Sequence, residues 1–309
     1  MKKIFRVSGY LINYWYRFIS PTKIKGITIP KLFILILFVI LSPSLLLGQD
    51  INVMSFNILY ATAQPKNWET GRRDLVVKTI NQVDADIIGL QEVMKIQKDQ
   101  LESDLEETYT LVTPWNNSYF GNSIGYKNNR FTEIDRGRFT FSPTPDVPGT
   151  DFHNNDNSRY ASWIILKDNK TNKSIFVLST HFYSHREQKV ERHKSAQILM
   201  DKILKLSKGL PVIAMGDFNT VENSAAYVTI TEHKINPLTD TYRVLHPNNP
   251  DIDGTVNGGV SRYPGLTNGE RIDYIFSSQL RVLESGILHT HFNENYPSDH
   301  FPVTARFGY

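Results

Sequence analysis

Along most of the chain short apolar runs alternate with polar stretches, but residues 32–41, LFILILFVIL, are apolar without a break. A helix in a globular core shows one apolar stripe, and this run is apolar all round. It matches the length of a signal-peptide core and falls short of the roughly 20 residues of a membrane span. The segment before it is basic, which favours keeping that end in the cytoplasm. YLINYWYRF (10–18) is aromatic and interfacial in character, and small and polar residues follow at 48–50. Residues 1–50 are therefore expected to form a signal peptide or an N-terminal membrane anchor. The remainder would be exported: periplasmic, secreted, or held at the membrane through residues 10–48 where the segment stays uncleaved.

From Ile51 the pattern is that of a mixed fold. INVMSFNIL (51–59) and ADIIGLQEV (85–93) predict buried strands. Between them RRDLVVKTINQV (72–83) has apolar residues at 76, 80 and 83, a helical stripe. MKIQKDQLESDLEE (94–107) predicts a second helix, and strand-like runs follow at 123–134, 138–142, 158–167 and 173–182. REQKVERHKSAQILMDKILKL predicts a long helix, with positions 196, 199, 203 and 206 all apolar. PVIAMGDFN (211–219), RIDYIFSS (271–278) and VLESGILH (282–289) predict further strands. Strands outnumber helices and come partly in runs, which favours an α+β, layered sandwich over a doubly wound sheet. No repeat and no linker interrupts 51–309, so these residues read as one domain. Two long polar segments, 143–159 and 246–270, have the length at which loops inside a compact domain are functional or disordered.

Composition narrows the chemistry. The 309 residues include no cysteine. That removes disulfides, thiolate metal sites and a cysteine nucleophile. The net charge of +3 hides a split. Seven of the 34 basic side chains but only Asp50 of the 31 acidic ones fall in residues 1–50, which leaves 27 against 30 in the domain. A nucleic-acid binder usually has a basic footprint. Nucleic acid stays open as a partner, but the charge of the domain does not favour it. A monomer is expected.

The apolar strands share one peculiarity: they finish in polar residues. NVMSFN ends at Asn57, DIIGLQE at Glu92, IFVLSTH at His181 and PVIAMGDFN at Asp217 and Asn219. RIDYIF carries Asp273, and YPSDHFPV (296–303) carries Asp299 beside His300. Neighbouring side chains in an extended segment point apart, so Asp299 and His300 need partners elsewhere. Burying such groups costs several kcal/mol unless they are paired or bind a metal, and six strands converging in this way suggest a cleft at one sheet edge. Carboxylates and an amide without thiolates are hard oxygen donors, suited to magnesium or manganese. Histidines beside them can move protons. The residue types point to metal-assisted phosphoester hydrolysis. His153, His185, His193 and His246 read as loop or surface residues, and Trp163 as core.

MSFNILY, LQEV, STHFYSH, GDFN, RIDYIF and YPSDHFPV, in this order, resemble the motifs of the endonuclease/exonuclease/phosphatase superfamily, with its pancreatic-deoxyribonuclease-like fold, over about Asn52 to Phe307. The closest look is to its secreted or periplasmic bacterial members. The resemblance implies a four-layer α/β/β/α sandwich of two mixed β-sheets flanked by helices, and a divalent-metal phosphoesterase using Mg2+ or Mn2+. It implies that Glu92, Asn57 and Asp299 serve the metal. His300, charged and oriented by Asp273, would contact the scissile phosphate and transfer a proton. Asp217 would align or deprotonate the attacking water, and His181 would be the second active-site histidine. Asn219 would contact phosphate or metal, and Arg159 would bind phosphate.

The family hydrolyses many phosphoesters, so the substrate stays unnamed. Leu59 stands where abasic-site endonucleases carry an aspartate, and ERIDYIF stands where inositol-polyphosphate 5-phosphatases carry a tryptophan–cysteine–aspartate–arginine stretch. A sphingomyelinase-like phospholipid hydrolase would want an apolar loop, which is not evident. A nuclease remains the alternative to a small-molecule phosphoesterase. An inert binding protein on the same scaffold would be expected to lose Glu92, Asp217 or His300, and all are present.

Overall fold

Strand pairing organises the domain. The computed structural model describes residues 50–63, 68–114, 120–153, 158–247, 254–257, 270–293 and 295–309. The expected signal or anchor segment, up to residue 49, lies outside them. Among the described residues no helix is long and apolar enough to cross a membrane.

Two six-stranded sheets face each other. In spatial order the first holds β11 (Arg281–Ile287), β12 (Val303–Gly308), β1 (Ile51–Asn57), β2 (Ile87–Val93), β4 (Gly121–Lys127) and β3 (Tyr109–Val112). The second holds β5 (Phe131–Thr140), β6 (Tyr160–Asp168), β7 (Lys173–His181), β8 (Val212–Asp217), β10 (Asp273–Ser278) and β9 (Thr239–Asp240). β1–β2 and β7–β8 are the parallel pairs, and both sheets are otherwise antiparallel. A parallel pair needs a crossover, and a helix is the usual one. Here α1 (Arg73–Val83) follows β1, α2 (Lys95–Leu105) follows β2, and α3 (Lys189–Leu206) follows β7. Two short helices, α4 (Ala225–Thr231) and α5 (Thr241–Leu245), complete the second half.

The two-residue alternation of the strands sorts their apolar side chains into three layers. Ile51, Val53, Ile87, Val177, Ile213, Met215 and Ile275 fill the space between the sheets. Met54, Phe56, Ile88 and Leu90 point outward, onto Val76 and Ile80 of α1 and Leu101 and Leu105 of α2. Phe176, Leu178, Ala214 and Phe276 point outward on the other side, with Ala196, Leu199, Met200 and Ile203 of α3 and Ile230 of α4. The result is the four-layer α+β sandwich. Trp163 stacks on Phe176 in the outer core, at 5.7 Å between ring centroids.

Several boundaries differ from the pattern-based expectation. The run at 123–134 is two strands, not one. The chain turns between Lys127 and Phe131, where the buried Arg130 binds Asp86 and Asp168 at 2.8 and 3.0 Å. The 138–142 run is the end of β5. β3, β9, β12, α4 and α5 had not been expected. β3 and β9 are too short for periodicity to register. α4 rests on a cap, Ser224 accepting from the Tyr227 N–H.

Candidate active site

The strand register gathers the predicted residues at one end of both sheets. His181 is opposite Asp217, and Asp217 is opposite Asp273, so three neighbouring strands form one row. The row shares its face with Met215 and Ile275, and so opens between the sheets. His181, Asp217 and Asp273 are all buried. From the facing sheet Asn57, the last residue of β1, spans the gap: its amide donates to Asp217 Oδ2 at 3.1 Å and to Glu92 Oε1 at 3.2 Å.

Glu92 would point at the helices if β2 kept its alternation, since Ile88 and Leu90 do. It does not keep it. The β2–β4 register shifts between Leu90 and Val93, and Glu92 takes φ +61°. A bulge of this kind re-aims a side chain, here into the site. Leu59 and Asn219, each just past a strand end, are also left-handed, at φ +57° and +47°. Backbone of this type in non-glycine residues costs of order 1–3 kcal/mol each and concentrates at functional sites.

Asp299 and His300 arrive on a segment of their own. Residues 254–257 hold it: Phe301 N donates to Thr255 O at 2.7 Å, Asn257 N to Asp299 O at 2.9 Å, and Asn257 Nδ2 to Ser298 O at 3.1 Å. The buried Thr255 hydroxyl also accepts from the N–H groups of Ile272 and Asp273, both at 3.1 Å. Ser298 Oγ donates to Asn57 O at 2.6 Å. The segment is thereby bent at the rim. His300 Nδ1 lies 2.8 Å from Asp273 Oδ2, while its Nε2 faces Asp217 Oδ2 at 3.9 Å. His181 Nε2 is 3.2 Å from the same Asp217 oxygen, and its buried Nδ1 has no partner among the described residues.

These contacts set the charges. Burial alone would lower His300, but the carboxylate of Asp273, helped by Asp299 and Asp217, raises it well above its ordinary value. Burial raises Asp273, with His300 acting against it. Burial would also raise Asp217, yet His181 and His300 hold it below the usual carboxylate range. Burial raises Asp299, and the Glu92 charge adds to that. Arg159 is lowered by burial, against the pull of Glu92 and Asp217, and donates to Ser184 Oγ at 3.0 Å. Asn219 is tied in through its N–H to Asp217 Oδ1 at 2.9 Å and its amide to Phe182 O at 3.2 Å.

The donor set suits a hard cation. Glu92 and Asp299 are carboxylates near enough for one to raise the other. The two Glu92 oxygens accept only long bonds, from Asn57 and from the Tyr60 N–H, both 3.2 Å. Asn57 orients Glu92 through its amide N–H, and its Oδ1, which accepts from Leu59 N at 3.0 Å, keeps a second lone pair for a cation. Asp217, Asp273 and His300 present ligand atoms within 4.8 Å of one another, but Asp273 Oδ2 is already engaged by His300.

Sequence reasoning missed the supports. Arg72, wholly buried, donates to the carbonyls of Ile58 at 2.7 Å, Leu59 at 3.1 Å and Tyr60 at 2.7 Å. It fixes the loop that delivers the Tyr60 N–H to Glu92. Burial lowers Arg72 to about 10, against the charges of Asp299 and Glu92. An arginine at the head of an apolar helical stripe was a signal available in RRDL. Thr255 had none, inside a long polar stretch.

Residues 54–300 match the profile of the Endonuclease/Exonuclease/phosphatase family. The solved structure of an endonuclease/exonuclease/phosphatase from Bacteroides vulgatus is 27% identical, covers 84% of this chain and 98% of its own, and superposes with a TM-score of 0.73. A mannosyl-6-phosphatase of Bacteroides thetaiotaomicron shares the fold at 24% identity and TM-score 0.73, covering 84% of this chain and 100% of its own. Among curated sequences, an uncharacterized protein of Acanthamoeba polyphaga mimivirus is 25% identical over 74% of this chain and 38% of its own length. The CCR4-Not 3'-5'-exoribonuclease subunit Ccr4 of Aspergillus niger is 24% identical over 74% of this chain and 42% of its own. The chain thus spans less than half the length of these two relatives.

Proposed function

This chain belongs to the endonuclease/exonuclease/phosphatase family, whose members are phosphoesterases and nucleases, and we propose on that premise that it is an exported phosphoric ester hydrolase dependent on Mg2+ or Mn2+. The observation that carries the reading is the row His181–Asp217–Asp273, completed by His300 and faced by Glu92. Glu92, Asn57 and Asp299 would hold the cation, with the Asn57 amide N–H also aligning Glu92. The cation would supply positive charge to the phosphoryl oxygens.

The chain's own groups do the rest. Asp273 keeps a proton on His300, which can give it to a phosphoryl or leaving oxygen. Asp217 stays ionised because two histidines surround it, so it orients a water by accepting its hydrogen bond. Arg159 and Asn219 bind phosphate oxygens. The buried Nδ1 of His181, without a partner among the described residues, offers one more polar contact. The slightly acidic domain supports a small phosphoester over a long polyanion as substrate; a nuclease is the second reading.

Purified protein tests this on a generic phosphodiester and a generic phosphomonoester with magnesium or manganese. Activity is expected to vanish with EDTA and in Asp217→Ala, and the cation is expected to raise the melting temperature less in Glu92→Gln than in the wild type. Diester preference would favour nucleic acid or phospholipid head groups, and monoester preference sugar or inositol phosphates. A protein whose melting point and activity ignore the cation would sink the metal-dependent reading.

A further inference from the structure

A cleft of about 800 Å³ opens beside the row, lined among others by Ser184, Arg186, Lys189, Asn219, Asn223 and Glu270. It joins the site at two residues. Asn219 is bonded to Asp217, and Ser184 accepts from Arg159, whose charge is felt by Glu92 and Asp217. A group attached to a phosphate at Arg159 and Asn219 therefore has this cleft as its neighbouring space.

Three cations, Arg186, Lys189 and Arg192, line the cleft against two carboxylates, Glu222 and Glu270. Glu222 lines it but is bound by Arg243, at 2.8 Å, and by Arg271, at 2.9 Å. Arg192 also lines it, and its donors go to the carbonyls of Tyr183, His185 and Arg186, with Glu270 among the carboxylates acting on its charge. Arg186 and Lys189 remain, against the single exposed carboxylate of Glu270. Both are exposed, and neither side chain makes an ion pair or hydrogen bond among the described residues. The domain is slightly acidic as a whole and pairs many of its other cations, as Arg130 and Arg271 illustrate. Other exposed cations, Lys170 and Lys234 among them, also lack ion pairs among the described residues, but Arg186 and Lys189 line a cleft that leads out of the proposed phosphoesterase site.

We infer that this cleft is a subsite for a second anionic group of the substrate, held by Arg186 and Lys189 while the scissile phosphate sits at Arg159 and Asn219. The inference rests on the phosphoesterase reading and narrows it to substrates with two anions. The second anion is either another phosphate on a small polyol or sugar, or the next phosphate of a short nucleotide chain.

Titration calorimetry tests this with Mg2+ and the Asp217→Asn protein, which the proposed mechanism makes inactive. Glucose 1,6-bisphosphate is compared with glucose 6-phosphate, and the dinucleotide pTpT with TpT. In one of the two pairs the added phosphate is expected to tighten binding about five- to tenfold, as two exposed charge contacts allow. Arg186→Gln with Lys189→Gln should erase that gain, leave the affinity of the partner with one phosphate within about twofold, and leave the melting temperature unchanged, because both side chains are exposed. The pair that responds identifies the source of the second anion. Equal affinity within both pairs, a gain that survives the double substitution, or no binding of either doubly phosphorylated ligand up to about 10 mM overturns the inference. Undiminished hydrolysis by Asp217→Asn would instead refute the catalytic reading and is scored separately.

Discussion

Gly216→Ala tests whether the His181–Asp217–Asp273 row depends on a single backbone geometry. Gly216 has φ +149°, and a Cβ placed there would lie 2.0 Å from Thr180 O and 2.9 Å from Thr180 C. Ordinary contact begins near 3.4 Å, so β7 and β8 would have to part by more than an ångström at the pair next to His181 and Asp217. The backbone conformation costs a residue with a side chain about 1–3 kcal/mol, and the overpacking about 1–3 more. A destabilisation of about 2–6 kcal/mol follows, or a melting point lower by about 4 °C at the least and by about 10 °C at mid-range for a domain of this size. Displacing the row by an ångström would also cost about 100-fold in turnover. Thermal unfolding by circular dichroism and the phosphoester assay read the two effects. Gly286→Ala is the control: its nearest neighbour would be Thr304 Oγ1 at 3.8 Å, so a change within about 0.5 kcal/mol is expected. A Gly216→Ala protein that melts within about 2 °C of the wild type and turns over normally would refute the argument.

Two further substitutions probe charge and support. Asp273→Asn removes the group that raises His300, so the alkaline limb of the pH–rate profile should move to lower pH. A histidine raised on folding adds stability that is complete below about pH 6.5 and is lost as pH rises through the folded value. The melting-point gap between wild type and Asp273→Asn should therefore narrow at alkaline pH; a constant gap from acid to alkaline would count against the ion pair. Arg72→Met leaves three loop carbonyls without their buried donor. It should cost about 4 kcal/mol or more in a urea titration, and a loss under about 1 kcal/mol would show that the loop holds itself.

The sequence made the chemistry legible because polar residues at the ends of apolar strands stand out against the pattern. Asn57, His181, Asp217 and Asp273 each sit within a residue of where their strand begins or ends, and register then does the assembling. Glu92 was legible as a residue but not as a geometry, since its entry depends on a left-handed bulge that no periodicity encodes. Thr255 and Ser298 were invisible because their work is done by hydroxyls and backbone groups across 17 to 241 residues of sequence. The merged run at 123–134 misled because a turn anchored by a buried arginine looks, one residue at a time, like a polar interruption of a strand.

The order of the sheets carries a meaning of its own. In the first, the parallel pair β1–β2 is flanked by the antiparallel pairs β11–β12 and β3–β4; in the second, β7–β8 is flanked by the antiparallel pairs β5–β6 and β9–β10. One plan is used twice in a chain whose two halves share no visible sequence repeat. Asn57 and His181 close equivalent strands, and Glu92, one residue before the end of β2, is matched by Asp217 at the end of β8. The candidate site is a seam between twins that contribute different groups: the first sheet brings Glu92 and, on the segment before β12, Asp299 and His300, and the second brings His181, Asp217 and Asp273. Neither twin holds a complete set, and the 3.1 Å bond from Asn57 to Asp217 is a point at which each inspects the position of the other.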